Sequence, residues 1–458
     1  MRRGVHRGRG AEAGALLADV GRVRPVGRTA SRRRGRRGAL VRARRGAVVA
    51  RPRPGPGRAA VCEPGVVTSE LSTWRRVPND PAEWFSDEEL DRSRACQRPL
   101  TRLRLVRAAC GLVGIALVIG LELPQSLVDA VGVSNWVAQL LVVVVLLEVV
   151  ALVYNPALDW WVDLVHDRRW GLSTQTPGGF VADQVKSLLL GVVVNLALLV
   201  PLYAVIRGTD LWWLWGWLLL VGFSVGLGFL YPVVIAPIFN RFEPLEDEIL
   251  AGRIQEIAER AGVDIEGAFV ADESRRSTRD NAYVAGLGAT RRVVLYDTIL
   301  EHPPAVVAQV VAHEVGHWRL GHLRKQIPLA AVLALVLMLG LRLLSEWEGL
   351  WSAISVDGLG DPASLPVLLL AVQVGFGTMG LAMSYVSRAF ERQADVEALE
   401  LLGEPELMHD MLRRLHVKNL SDLDPSRWKR AQATHPPAAE RMALVREWRR
   451  AHHPTPST

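Results

Sequence analysis

Six long apolar stretches interrupt an otherwise polar sequence of 458 residues. A transmembrane helix needs about 20 mostly apolar residues, and each stretch comes close to that length. The stretches span residues 105–121, 133–154, 188–206, 211–235, 327–344 and 365–385. The pattern predicts a mainly α-helical, polytopic membrane protein with about six transmembrane helices.

The polar segment between the fourth and fifth stretches, residues 240–326, has a different pattern. Apolar residues recur with helical spacing in 246–261, and again from Pro304 onwards. Between these two helices, residues 281–287 and 292–296 are short runs with the composition of β-strands. We therefore expect a small α+β segment here.

The distribution of Lys and Arg predicts how the chain is oriented. The connections after the first and fifth stretches are acidic. Most Lys and Arg outside the N-terminal tail lie before the first stretch, between the fourth and fifth, and after the sixth. Because cytoplasmic loops carry the excess of positive charge, we expect both termini and residues 240–326 in the cytoplasm. The bias toward Ala, Arg, Gly and Val favours a bacterial source, and so a bacterial plasma membrane.

The N-terminal tail has a composition of its own. Residues 1–60 hold 18 Arg and only two acids, Glu12 and Asp19. Such sequence cannot bury enough apolar surface to fold, so residues 1–65 are predicted to be disordered. The tail could be an arm that binds nucleic acid or anionic lipid. We favour the alternative that the start codon was assigned too far upstream, and expect no nucleic-acid partner.

Residues 313–317 read His-Glu-Val-Gly-His, which is a candidate metal-binding motif. On a helix, His313 and His317 project from one face about one turn apart, so both imidazoles can reach a single ion. Glu314 points elsewhere but can reach a water on that ion as general base. Two imidazoles and one carboxylate suit zinc and leave the open position that catalysis requires.

A third ligand must come from another part of the chain. His322 lies five residues beyond the motif and would face the wrong side of a regular helix, so we interpret it as a cap or surface residue. Glu391 and Asp395 lie four residues apart after the sixth stretch and share a helix face. A metal-bound His usually donates its other N–H to a carboxylate, so Glu391 is the candidate ligand and Asp395 the acceptor. The alternative is a solvated charged stripe with Arg388 and Arg392.

These patterns divide the chain into six parts. They are the disordered tail (1–65), a cytoplasmic N-terminal segment (66–104), transmembrane helices 1–4 with a loop at 155–187 (105–239), a cytoplasmic catalytic segment (240–326), transmembrane helices 5 and 6 (327–390), and a cytoplasmic C-terminal segment with the third ligand (391–458).

Four motifs together resemble the type I CAAX prenyl protease family. They are RDNAYVAGLGATRRVVLYDTIL at 279–300, HEVGHW at 313–318, SRAFERQAD at 387–395 and THPPAAER at 434–441. The resemblance covers about residues 80–450. It implies an integral-membrane gluzincin whose helices enclose a large water-filled chamber, with a zincin-like catalytic segment. Eukaryotic members of that family have seven spans, whereas this sequence has six apolar stretches.

The resemblance also implies roles for single residues. It makes His313, His317 and Glu391 the ligands of a zinc ion and Glu314 the base.

Four further residues match the family's motifs. Asn281 and Ala282 resemble the start of the edge strand that pairs with the substrate backbone. His435 resembles the group that stabilises the developing oxyanion, although a capping or buried structural role remains open. Arg441 is interpreted as a buried ion-pair partner rather than a catalytic group.

The sequence thus favours a membrane-embedded zinc endopeptidase that cleaves membrane-associated peptides or proteins, including lipidated ones. Membrane lipid is its other expected partner. The first alternative is a protease of the heat-shock HtpX kind, which clears damaged membrane proteins. The second belongs to another class, a catalytically silent membrane scaffold or lipid-binding chamber. Because Glu314 and the candidate ligands are all present, the sequence favours the enzyme.

Overall fold

The computed structural model describes residues 79–286 and 291–453. The predicted tail at 1–65 lies outside the described residues, as does the beginning of the segment assigned to 66–104.

Helices form most of the described chain. Before the first strand they are α1 (Asp87–Gly120), α2 (Leu123–Val131), α3 (Trp136–Leu152), α4 (Asn155–Trp160), α5 (Asp167–Arg169), α6 (Pro177–Gly208), α7 (Trp212–Leu230) and α8 (Ala236–Phe239). After it they are α9 (Glu248–Arg260), α10 (Pro304–Arg319), α11 (His322–Ser345), α12 (Glu348–Ala353), α13 (Leu365–Leu402), α14 (Pro405–Lys418), α15 (Arg427–Gln432) and α16 (Ala438–His452).

Local sequence explains where several of these helices begin and end. A reciprocal capping box starts α1, because the Ser86 hydroxyl accepts the Glu89 N–H and the Glu89 carboxylate accepts the Ser86 N–H. The Asp247 carboxylate caps α9 in a similar way. At the other end of α13, Gly403 adopts φ 69°, a left-handed conformation that suits glycine and stops the helix.

Within the described ranges, six helical stretches are long and apolar enough to cross a membrane, which confirms the predicted number. They are Asp87–Gly120, Trp136–Arg169, Pro177–Gly208, Trp212–Phe239, His322–Ser345 and Pro362–Leu402. Two of them contain π-helical turns, at Trp161–His166 and Tyr231–Ile235. Several run well beyond the apolar stretches seen in the sequence, because helical hydrogen bonding continues after the chain leaves the apolar layer. In particular, α13 passes the division drawn between 390 and 391 without interruption.

The membrane helices pack around a buried apolar cluster that includes Leu140, Tyr203 and Met338, and they enclose a cavity beside it. Between 0% and 22% of the most apolar part of each span is buried in the protein, so most of its side chains face lipid or the interior space. A cavity of about 250 Å³ among α3, α6, α7, α11 and α13 has mostly apolar walls. The Asn195 side-chain amide donates to the Glu148 carboxylate (3.3 Å) at its edge. This arrangement confirms the expected class of fold.

A four-stranded sheet follows the fourth span, with strands β1 (Phe242–Pro244), β2 (Gly267–Ala271), β3 (Ala282–Ala285) and β4 (Arg292–Tyr296). Its order is β1-β2-β4-β3, with β2 parallel to β4 and the other two pairs antiparallel. Sequence patterns predicted β3 and β4, whereas β1 and β2 were missed. Three residues with a proline, or five that include glycine, carry too weak a pattern to predict a strand without knowledge of its partner.

Helix α10, which carries the His-Glu motif, lies at the centre of the domain that contains the sheet and the C-terminal helices. It packs against α9, α13, α14 and β3. Its apolar residues between Val306 and Val315 are buried, and so are Gln309 and His313, so the helix is enclosed on all sides. Gly316 lies where α10 crosses α13. A Cβ at this position would lie 3.3 Å from the carbonyl oxygen of Ala394 and 3.3 Å from Glu397 Cβ.

Two helical glycines should therefore respond differently to substitution. Gly252 in α9 has no described neighbour within 4 Å of an added Cβ, so Gly252→Ala should stabilise the protein by about 0.5–1 kcal/mol through backbone entropy. Gly316→Ala should lose this gain because its methyl group meets α13, and Gly316→Val should destabilise. Thermal unfolding midpoints in one detergent measure the effect. Equal stabilisation by both alanine substitutions would contradict a tight contact at Gly316.

Candidate metal centre

Three potential ligand atoms from two helices converge at the crossing of α10 and α13. His313 Nε2 lies 3.3 Å from His317 Nε2 and 3.3 Å from one carboxylate oxygen of Glu391. The other carboxylate oxygen of Glu391 lies 3.4 Å from His317 Nε2. Donors bound tetrahedrally at about 2.0–2.1 Å from one zinc ion stand about 3.3 Å apart. The distance between the two imidazole nitrogens, and the distance from each nitrogen to its nearer Glu391 oxygen, therefore fit a tetrahedral ion, and three protein ligands leave a fourth position.

The first histidine of the motif is oriented by a buried ion pair. His313 Nδ1 lies 2.9 Å from Asp395, whose side chain is fully buried. Arg441 on α16 donates to both oxygens of that carboxylate, from Nε at 2.8 Å and from Nη2 at 2.5 Å. The structure thus places Asp395 and Arg441 behind the metal site, in one contact chain with His313.

Glu314 faces a cavity of about 480 Å³ beside the three donor atoms. Removal from bulk water raises the pKa of Glu314 above its ordinary value. An apolar wall is provided by α14, with Met411, Leu412 and Leu415. The sequence patterns did not indicate that α14 would line this cavity, because a distant helix is brought to the site only by folding.

His416 on α14 also lines the cavity and was not anticipated from the sequence. Burial, together with the nearby Arg441 guanidinium, lowers the pKa of His416 to about 3, so its imidazole is neutral.

His435 precedes α16, and its imidazole is 58% exposed at the mouth of the cavity. His435 Nδ1 lies 2.6 Å from a carboxylate oxygen of Glu391. This contact brings His435 to the metal site. Since Nδ1 is engaged by the carboxylate, any contact with a substrate oxyanion falls to Nε2.

Asn281 and Ala282 lie at the edge of the sheet and line the same cavity. The Asn281 carbonyl accepts the Tyr296 N–H (3.0 Å), and β3 begins at Ala282. The segment just before them is firmly held, because the Asn419 side-chain amide bonds both the N–H (2.9 Å) and the carbonyl (3.1 Å) of Asp280.

The Asp280 carboxylate is itself fully buried in a network of charges. Lys418 donates to it at 2.7 Å, and His302 Nε2 lies 2.6 Å away. Lys418 also donates to the Thr298 carbonyl and the Glu301 carboxylate. The chain approaching the candidate substrate strand is therefore fixed from α14 and from the turn before α10.

The interpretation of His322 as a cap or surface residue is wrong. His322 is only 2% exposed, and its Nδ1 lies 3.0 Å from His317 Nδ1. That interpretation assumed one regular helix, but Gly321 adopts φ 64° between α10 and α11. The break turns His322 back toward the site.

The alternative of a solvated charged stripe on α13 is also wrong. Arg392 is 6% exposed and donates to Glu440 at 3.0 Å. Arg388 donates to the carbonyls of Arg430, Ala431 and Ala433. These charges therefore fix the C-terminal segment against α13.

The fold and the site together define a metallopeptidase embedded in a membrane. Comparisons with known proteins give the family. Residues 69–241 match the model described as "CAAX prenyl protease N-terminal, five membrane helices", and residues 244–449 match peptidase family M48. The chain belongs to the CAAX prenyl protease family within these peptidases. In residues 79–241 the structure has four helices of membrane-spanning length and composition.

Similar proteins come from bacteria, plants and fungi. An uncharacterized metalloprotease of Bacillus subtilis, YhfN, is 32% identical over 65% of this chain and 71% of its own length. CAAX prenyl protease 1 of Saccharomyces cerevisiae is 30% identical over 68% of this chain and 72% of its own length. The homologue of that enzyme in rice (Oryza sativa) is 28% identical over 62% of this chain and 67% of its own length.

Among solved structures, the crystal structure of S. mikatae Ste24p superposes with a TM-score of 0.71. The superposition covers 82% of this chain and 93% of that chain at 24% identity, and so establishes the fold. The resemblance seen in the sequence is confirmed. The chain is an integral-membrane metalloprotease that acts on peptides or proteins and requires a metal ion, and neither the quality-control nor the scaffold alternative gains support.

Arg441→Met should strongly destabilise the protein, because it leaves the Asp395 carboxylate buried without its cation. Removing one partner of a buried pair typically costs about 3–5 kcal/mol. Arg449→Met is a matched control on the same helix, since Arg449 pairs with Glu406 at 3.0 Å with both side chains largely exposed. The control should change stability by about 0–1 kcal/mol. Thermal unfolding of the metal-free proteins measures both, and similar shifts would contradict the buried pair's importance.

Proposed function

We propose that this chain is a zinc endopeptidase in which His313, His317 and Glu391 bind the ion and Glu314 is the general base. The observation that supports it best is the convergence of three side chains: the two imidazole nitrogens lie 3.3 Å apart, and one Glu391 oxygen lies 3.3 Å from His313 while the other lies 3.4 Å from His317. Two imidazoles and one carboxylate are a donor set that zinc prefers. When bound, zinc supplies a Lewis acid that lowers the pKa of a water toward neutrality and polarises the scissile carbonyl.

The residues around these three side chains have separate roles in the proposed mechanism. Glu314 accepts a proton from the attacking water and later delivers it to the leaving amine. Asp395 accepts a hydrogen bond from His313 Nδ1–H, which keeps Nε2 unprotonated and able to bind a metal ion. His435, through Nε2, donates to the oxygen of the scissile carbonyl as negative charge develops there.

The substrate backbone pairs with the edge strand β3. The sheet order leaves the outer edge of β3 without a neighbouring strand in the described chain, and Asn281 and Ala282 line the cavity next to Glu314. An extended peptide adding to this edge would place its carbonyls along the cavity, a mode of binding known as β-augmentation. The Asn419 and Lys418 contacts with Asp280 keep this edge in place.

The proposed substrates are membrane-associated or C-terminally lipidated peptides or proteins. Support comes from the position of the site on helices that continue as membrane spans, and from relatives that are named CAAX prenyl proteases. Quality control of damaged membrane proteins is the competing task for the same chemistry. Peptides that differ only in a prenyl group separate the two, because quality control requires no preference for the lipid.

Glu314→Gln should retain the metal and abolish proteolysis, since it removes the base but none of the three proposed ligands. Loss of general-base catalysis typically costs about 10²–10⁴-fold in rate. Glu391→Ala should lose both the metal and the activity. Elemental analysis and peptide cleavage by the purified proteins measure these effects. Wild-type cleavage by zinc-loaded Glu314→Gln would refute the assigned base, and full zinc content in Glu391→Ala would remove Glu391 from the ligands.

We also propose that the site faces the cytoplasm of a bacterium. The acidic connections after the first and fifth spans, and the basic segments on the opposite side, support this orientation through the positive-inside rule. The sheet, α10 and the C-terminal helices would then lie on the inner side of the plasma membrane.

Cysteine labelling with a membrane-impermeant maleimide tests this orientation in a background without native cysteines. Asp357 and Ser274 are both exposed, so access across the membrane is the difference between them. A cysteine at position 357 should react in intact cells, whereas one at position 274 should react only after lysis. The reverse pattern would invert the proposed topology.

A further inference from the structure

His317, the second histidine of the motif, contacts the imidazole of His322. His317 Nδ1 lies 3.0 Å from His322 Nδ1, and His322 Nε2 lies 3.0 Å from Gln393 Oε1. The imidazole of His322 also stacks on Phe390, with ring centroids 4.3 Å apart and planes inclined by 8°. Phe390 and Gln393 are three residues apart on α13, so both reach His322 from one helix face.

The proton positions in this chain follow from the geometry of the metal site. His317 Nε2 faces His313 and Glu391, so Nε2 must be unprotonated when His317 is a ligand. A neutral His317 then carries its proton on Nδ1, which points at His322. His322 Nδ1 must accept that proton's hydrogen bond, so the proton of His322 lies on Nε2 and is donated to Gln393.

The opposite orientation of the Gln393 amide is incompatible with metal binding by His317. Its NH₂ group would donate to His322 Nε2, and His322 would then donate from Nδ1 to His317. His317 would have to carry its own proton on Nε2, which blocks the atom that faces the other two donors. The hydrogen bond to the Gln393 oxygen therefore determines which nitrogen is protonated in His322 and, through His322, in His317.

We propose that His322 and Gln393 are positioning residues that hold His317 in its metal-binding tautomer and orientation. This inference rests on the proposed role of His317 as a ligand. The two histidines of the motif then have different supports, a carboxylate paired with Arg441 behind His313 and a neutral imidazole–amide chain behind His317. Stacking on Phe390 and the bond to Gln393 together determine the plane in which His322 lies.

Substitutions at position 322 separate the hydrogen bond from the packing. His322→Phe keeps a ring for stacking on Phe390 but removes the acceptor, so zinc affinity should fall by about 10–100-fold, as for other groups that support a ligand. His322→Asn places an oxygen acceptor near the position of Nδ1 and should recover part of that loss. Competition with a chelator of known zinc affinity measures this, without any need for activity.

Substitutions at position 393 test the second step of the chain. Gln393→Glu keeps an acceptor oxygen and should bind zinc at least as well as the wild type, whereas Gln393→Met removes the acceptor and should weaken binding. The absorption spectrum of the cobalt-substituted protein should change in His322→Phe, because the ligand field depends on the orientation of His317. His409→Phe is the control, since this half-buried histidine on α14 contacts Trp84 (5.2 Å between ring centroids) away from the site. It should leave zinc affinity unchanged.

The outcomes separate this inference from the proposed function. Zinc lost from His317→Ala but bound with wild-type affinity by His322→Phe would overturn the positioning role alone. A His322→Asn protein no better than His322→Phe would reduce His322 to a packing role and overturn it too. Full zinc content in His317→Ala would overturn both the ligand assignment and this inference.

Discussion

The close contact between α10 and α13 is the constraint on which the site depends. Two of the proposed ligand side chains belong to α10 and the third to α13, so a wider spacing of the helices would separate the imidazoles from the carboxylate. Gly316 permits the approach, because a side chain there would meet the Ala394 carbonyl and Glu397. Packing in protein interiors is dense enough that one methyl group at such a crossing must displace its neighbours. The metal chemistry therefore depends on a residue that has no functional group.

Buried ion pairs between α13 and the C-terminal segment stabilise the same contact. Asp395 is matched by Arg441, and Glu440 is matched by Arg392 at 3.0 Å and by Arg430. An unpaired buried charge would cost several kcal/mol, so these pairs form only when α16 is seated against α13. The segment after the last span is consequently part of the site, because it supplies Arg441 to the carboxylate that orients His313.

The candidate metal site also lies where the membrane helices meet the domain that contains the sheet and the C-terminal helices. Helix α11 continues from α10 after the turn at Gly321, and α13 is at once a membrane span and the source of Glu391. The proposed ligands are thus carried by elements whose other ends are anchored in the membrane helices. A rigid attachment of this kind keeps the proposed donors in place.

The sequence by itself determined the features that arise from local pattern. The six spans follow from apolar length, β4 from a five-residue run between polar turns, and the approach of His313 to His317 from helical periodicity. Asp395 and Arg441 were also expected from sequence motifs, whereas only the tertiary structure showed that His322 and Gln393 lie behind His317. The short strands β1 and β2 needed partners to form, and His322 reached His317 because Gly321 breaks the helix. Sequence patterns describe neighbours along one element, whereas these contacts depend on how separate elements pack.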